Sequence, residues 1–279
     1  MKRFLSLLLV ISINIQGFHS DAQTVNWKKV KILVYTKNGK GYVHDNIPYA
    51  AAALQRLGIR YGFKVDTSAD PAVMNERNLQ QYTLLVFPST NNDVFDTDEQ
   101  RVAFRRYMEA GGGFVGLHSV TGTERNWRWF KMMLGGTFSW HAHFQRFTVR
   151  IIDPRHPSMQ GLAPIWQKED ECYFEKELYP GPKVLMVHDL RTIDTTNARE
   201  KQVFLKNKGY YGDFYPAVWE QQFDGGHIWI TTLGHDKKDY KDPVYLKHLI
   251  GGIRFIASRV KIIDFKKAYA THRDDAIRY

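Results

Sequence analysis

Eleven histidines are spread along the 279 residues, and five of them stand where imidazole chemistry is available. His118 closes the segment Gly113-Phe114-Val115-Gly116-Leu117-His118-Ser119, His44 precedes Asp45, and His235 follows Gly234. These three are the candidate catalytic residues, because imidazole titrates near neutrality and can take, give or relay a proton. His141 and His143 stand two apart, a spacing that on a strand turns both rings to one face. That pair is the candidate metal site, with His44, His118 and His235 as further donors. Neutral imidazoles around a divalent metal such as zinc, with one position open, activate a water or polarise a carbonyl. No HExxH or CxxC spacing occurs, so any such site must be assembled from separate loops.

Other side chains near these positions suit a polar small molecule. Asp45, Asn92, Ser119, Trp140, Glu171 and Tyr173 are the candidate substrate contacts. Aromatic rings stack on the C–H faces of sugars while carboxylates, amides and hydroxyls reach the sugar hydroxyls. The run Glu169-Asp170-Glu171 reads first as a solvated edge, yet one carboxylate turned inward would serve as a base beside His118 or His235. Plainer readings suit the rest. Trp127, Trp129 and Trp219 belong to the core or a pocket wall, Asp153-Pro154-Arg155-His156-Pro157 is a rigid turn, and His188, His227, His248 and His272 are packing or surface residues.

The elements that would position these groups follow from apolar spacing. Val30 to Tyr35, Tyr82 to Phe87 and Phe114 to Leu117 are short apolar runs that read as buried strands, with a further short strand at Phe63 to Val65. Helices are predicted over Ile47 to Arg60, capped by Asp45 with Pro48 in the first turn, and over Thr97 to Ala110, where Thr97 and Gln100 form a capping box. Strands alternating with helices predict a doubly wound parallel sheet. Beyond Gly135-Gly136, Phe138 to Ile152, Lys183 to Val187, Pro216 to Phe223 and Ile228 to Leu233 are β-rich, with no long helix between them. These form the far half of the sheet, partly antiparallel, with a hairpin at Asp224-Gly225-Gly226. A helix from Pro243 to Ser258 closes the domain, leaving a charged, peripheral tail at 261–279.

Ligands of such sheets bind beyond the carboxyl ends of the strands. His44-Asp45, Ser89 to Asp93, His118-Ser119 and Gly234-His235-Asp236 all follow predicted strands, so they should converge. The turn after Leu117 matches the strained elbow on which class I amidotransferases and α/β-hydrolases hold a nucleophile, but His118 fills the slot. The single cysteine, Cys172, lies elsewhere, which excludes thiolate amidotransferase chemistry at that elbow and also any internal disulfide.

At the N-terminus, Lys2-Arg3 leads into the apolar run Phe4 to Ile15 and then small residues near Ala22, the pattern of a signal peptide over 1–22. The mature protein is therefore expected to be exported, periplasmic or secreted, without a stable membrane span. The formal charge of +10 is dispersed and no nucleic-acid motif is present, so nucleic acid is not an expected partner; a homo-oligomer stays compatible with the sequence.

Five segments together resemble the trehalose-utilisation ThuA-like family: Gly41 to Pro48, Gly111 to Ser119, Asp153 to Pro157, Asp170 to Tyr173 and Thr232 to His235. The resemblance covers about Lys31 to Ser258, within a domain at 28–260. It implies a flavodoxin-like, class I glutamine amidotransferase-like fold lacking the catalytic cysteine, and sugar metabolism involving keto forms of disaccharides and glycosides. The expected function is an exported enzyme acting on a keto-sugar or glycoside by elimination, hydrolysis or isomerisation, with a non-catalytic sugar-binding or scaffold protein as the competing reading.

Overall fold

The computed structural model describes residues 25–278. The signal peptide expected at 1–22 lies outside the described residues. The elements run β1 (Lys31–Tyr35), α1 (Ile47–Tyr61), β2 (Lys64–Ser68), α2 (Glu76–Leu79), β3 (Leu84–Pro88), α3 (Asp98–Glu109), β4 (Gly113–Leu117) and α4 (Arg128–Leu134). They continue through β5 (Thr137–His141), β6 (Gln145–Ile151), β7 (Ile165–Asp170), β8 (Tyr173–Lys176), β9 (Lys183–Asp189), α5 (Ala198–Tyr211), β10 (Phe214–Phe223), β11 (Gly226–Thr231) and α6 (Pro243–Arg259).

A nine-stranded sheet has the order β2-β1-β3-β4-β11-β10-β9-β6-β7. Pairing is parallel from β2 to β11 and antiparallel from β11 to β7, as the switch in sequence pattern predicts. Strand alternation sorts the core into two layers. Ile32 and Val34 pack with Leu54 of α1 and Leu249 of α6 on one face. Leu33, Tyr35 and Phe87 pack with Phe104 of α3 and Phe130 of α4 on the other, where Trp127, Trp129 and Trp219 are also buried. The Thr97–Gln100 capping box opens α3. Strands β5 and β8 form a separate antiparallel ribbon. No helix among the described residues is long and apolar enough to cross a membrane.

Three expectations are corrected. A long helix, α5, does separate β9 from β10. Asp45 does not cap α1: Asn46 occupies that position, and Asp45 pairs with Lys237 at 2.6 Å. The tail is not merely peripheral. The amides of Tyr269 and Ala270 donate to Glu109 at 2.8 and 3.0 Å, and Arg105 donates to the carbonyls of Arg273 and Asp275 at 3.1 and 2.6 Å.

Candidate functional site

Each of the three central imidazoles is delivered by the end of a parallel strand or the loop beyond it. His118 leaves β4 in the left-handed region at φ +52°, the strained turn expected of an elbow, and is fully buried. Its Nδ1 lies 3.1 Å from the carbonyl of Thr232. A carbonyl only accepts, so Nδ1 carries a proton, and in the neutral ring Nε2 keeps its lone pair.

His44 precedes α1, with Nδ1 3.2 Å from both Ser119 Oγ and the side-chain amide of Asn91. The Ser119 hydroxyl donates to Thr90 O at 3.3 Å, so its lone pairs can take an Nδ1 proton in the tautomer that leaves Nε2 free for a ligand; in the other tautomer Nδ1 accepts from the Asn91 amide. Burial and then the neighbouring His118 and His235 push His44 down to about 3, so it is neutral at pH 7.

His235 rides on a loop that is tightly clamped. The amides of Gly234 and His235 donate to Asp170 at 2.7 and 3.1 Å, and the Asn46 amide donates to both of their carbonyls at 2.9 Å. Gly234 has φ +110°, and the Tyr245 hydroxyl sits 1.9 Å from where a Cβ would project, so only glycine fits. Behind the clamp, buried Lys168 lies 3.1 Å from Asp170 and 2.6 Å from Asp239.

Glu171, just past β7, completes the group. His118 Nε2 and His235 Nδ1 are 3.1 Å apart, and Glu171 Oε2 lies 3.5 Å from the first and 3.1 Å from the second. Burial alone would raise the Glu171 carboxyl, but the facing His118 and His235 rings hold it well below the usual carboxylate range. In return, burial lowers and Glu171 more than restores His235, which ends above its ordinary value. One donor atom from each of His44, His118, Glu171 and His235 lies within 4.8 Å of the others. Tetrahedral zinc with bonds near 2.0–2.1 Å needs donor atoms roughly 3.3 Å apart, and the three distances above bracket that value.

The group opens onto a cavity of about 540 Å³ lined by Tyr42, Asn92, Phe138, His141 and Tyr173. The Tyr173 hydroxyl is 3.1 Å from His118 Nε2, and its ring packs on Phe138 and His141. A larger hollow of about 870 Å³, lined by Val30, Tyr82 and Ile263, has no converging histidine or carboxylate.

The structure thus brings together His44, His118 and His235, with Glu171, Tyr173, Asn92 and Ser119 around them, but not the expected metal pair. β5 ends at His141, so the two-residue face rule lapses before His143. His141 Nδ1 lies 3.4 Å from Glu171 Oε1 at the cavity wall, whereas His143 turns to Glu200 of α5 at 2.6 Å. Trp140 stacks on Phe174 and packs against the core, and Asp45 faces Lys237; neither lines the cavity. Sequence reasoning missed Asp170 as the clamp and Asn91 and Thr232 as partners of the His44 and His118 rings. Only the adjacency of Asp170 to Glu171 signalled the first. Cys172 is buried and its thiol is pushed up by burial, so it supplies no thiolate.

Comparison with solved structures agrees with this architecture. A ThuA-like protein from Bacteroides uniformis ATCC 8492 is 20% identical, covering 85% of this chain and 94% of that one with a TM-score of 0.67. A second, from Parabacteroides merdae ATCC 43184, is 18% identical over 84% of this chain and 92% of that one, with a TM-score of 0.63. The cold-adapted β-galactosidase from Rahnella sp. R3 shares the fold more distantly, at 16% identity, 80% of this chain, 30% of that one and a TM-score of 0.51. Comparison with curated proteins gives no match. The family model described as trehalose utilisation matches residues 31–256, nearly the whole described domain, and the chain therefore belongs to the ThuA family.

Proposed function

We propose that this protein is a metal-dependent, exported enzyme of sugar metabolism that acts on a keto-sugar or glycoside by elimination, hydrolysis or isomerisation. The observation that carries this reading is the convergence of His44, His118, Glu171 and His235, three of them buried, from four separate loops. Carbohydrate as the substrate class is supported by the family's description and by aromatic rings in the cavity wall.

Zinc or a similar ion held by these four residues would polarise a substrate carbonyl or acidify a water. Thr232, and Ser119 in the Nδ1–H tautomer of His44, orient the two rings so that a nitrogen of each would face such an ion. With those rings committed, His141 and Tyr173 are the proton-handling groups left at the wall. Burial, then Glu171, keeps the Tyr173 hydroxyl far above its ordinary value, so it stays protonated and donates a hydrogen bond to a substrate oxygen. His141, half-exposed beside Glu171, is placed to take or give a proton.

Elemental analysis of the purified protein, followed by turnover assays on a panel of keto-glycosides with and without the metal, tests the proposal. One equivalent of metal and turnover lost on chelation are expected. Sugar binding without turnover on any member would replace the enzyme with a binding protein. Export rests on the Lys2 to Ala22 pattern, and a mature N-terminus still beginning at Met1 would refute it.

A further inference from the structure

The permanent charges of the cavity are unbalanced in a way the His/Glu group does not explain. Arg125 and Lys40 both line it, against Glu171 as its one carboxylate, and Glu171 already faces His118, His141 and His235. The Nε of Arg125 donates to Gly122 O at 2.9 Å, and the guanidinium lies over the Phe138 ring at 5.5 Å. No carboxylate among the described residues pairs with it. The neighbouring Glu124 is committed to Arg101 at 2.7 Å. Glu175, which feels the charge of Arg125, is fully buried and bonded to Thr121, and burial pushes it up to about 8, so it does not neutralise the guanidinium.

Lys40 is placed by close backbone packing. Gly39 lies against the Asp93 backbone, and Gly41, at φ +138°, lies against the Asn92 amide, each too near for a Cβ. The lysine between them is therefore set at the cavity mouth. Arg125 contacts Phe138, Phe138 packs on Tyr173, and Tyr173 reaches His118, so the guanidinium and the His/Glu group belong to one continuous wall.

On the reading that this cavity is the substrate site, we infer that its substrate is an acidic sugar, bearing a carboxylate or a phosphate that Arg125 and Lys40 bind. The Nη groups of Arg125, with Nε already anchored, present the fork that matches either anion, and a lysine adds a second, mobile charge. A divalent ion beside Glu171 makes the cavity still more positive, which favours an anionic over a neutral sugar.

Calorimetric titration of the full chain with methyl β-glucuronide, glucose 6-phosphate and methyl β-glucoside, in metal-loaded and chelated forms, tests this. One or both anionic probes should bind roughly tenfold or more tightly than the neutral one, with the advantage shrinking at high salt. Which anion gains more identifies the group. Arg125→Gln should erase most of the advantage and Lys40→Gln a smaller part, with melting temperature and metal content unchanged. Equal binding of all three probes, failure of both anionic probes to bind, or an advantage that survives Arg125→Gln overturns the inference; the last result would place the anion on the metal instead. If no metal is found yet the preference still depends on Arg125, the acidic-substrate inference stands and the metal reading alone fails.

Discussion

His235 Nδ1 stands 3.1 Å from His118 Nε2, a separation at which two ring nitrogens share one proton or one cation but cannot each point a proton at the other. With the His118 Nδ1 proton directed to Thr232 O, the Nε2 of the neutral ring is bare, and a His235 Nδ1 proton then chooses between that lone pair and Glu171 Oε2 at an equal 3.1 Å. A divalent cation replacing that proton would meet three lone pairs already aimed inward. A site organised in this way would keep the reorganisation on binding an ion small.

Zinc returned to chelated protein should therefore raise the melting temperature. At a ligand concentration about 100 times the dissociation constant the linkage is roughly 2.7 kcal/mol, or about 5–10 °C for a domain of this size. Glu171→Gln should abolish the shift. His143→Ala should leave it intact, since His143 is tied to Glu200. A shift that persists in Glu171→Gln, measured by scanning calorimetry, would exclude this group of residues as the metal site.

Asp170 never faces the cavity, yet its two oxygens accept the amides of Glu171, Gly234 and His235 at 2.9, 2.7 and 3.1 Å. Both Glu171 and His235 therefore hang on one buried carboxylate. Asp170→Asn turns an NH₂ group toward backbone N–H groups and removes one partner of Lys168. Metal affinity should fall about 10–100-fold, as for other groups that orient ligands. Stability should fall by roughly 3 kcal/mol, with Asp239 still holding Lys168. Competition against a chromophoric chelator measures the affinity, and an unchanged value would show that the clamp does not set the ligand geometry.

Acid should destabilise the fold earlier than its carboxylates alone would. Burial pushes His188 down to about 4 and His248 to about 3, and His156, also buried, sits near 4. Their folded values lie below the unfolded value near 6.5, so the unfolded chain takes up protons first as pH drops. The stability contribution is complete above about pH 6.5 and is lost progressively toward pH 3–4, at up to about 1.4 kcal/mol per pH unit for each fully buried ring. Denaturant midpoints between pH 7 and 5 read this directly, and His248→Gln should flatten the slope. An identical slope in that variant would remove His248 from the account.

What could be read from the sequence followed the strength of local signals. The runs around Val34, Val86 and Val115 are too short and continuous for anything but buried strands, and Thr97 with Gln100 announces the start of α3. Knowing that strand ends converge was enough to gather His44, His118 and His235. α5 stayed hidden because Phe204 is its one buried side chain among those described, so no apolar stripe marks it. With α5 unseen, the Glu200 partner of His143 was invisible too. Glu171 was legible only as part of an acidic run, since nothing in its spacing distinguishes it from Glu169, which stays outside the cavity. Arg105 and Glu109 carried no signal: a pair four apart on a helix is usually solvated, whereas the structure buries both.

The tail is what buries that pair, and its removal should be costly. Arg105 bonds to Glu109 at 2.8 Å and to the carbonyls of Arg273 and Asp275, Glu109 holds the amides of Tyr269 and Ala270, and the Tyr269 hydroxyl donates to Asp224 at 2.7 Å. Deleting residues 261–279 strips these partners from charges that cannot reach water without moving α3. A loss of roughly 3–5 kcal/mol is expected, on the order of 10 °C in melting temperature. Tyr269→Phe, which removes one hydroxyl, should cost about 1 kcal/mol and gives a reading even if the truncated chain fails to fold. The metal stoichiometry of Tyr269→Phe should not change, because α3 ends next to the start of β4 and His118 lies past the other end of that strand. A truncated protein that melts at the native temperature would show that the contacts around Arg105 hold the tail without stabilising the domain.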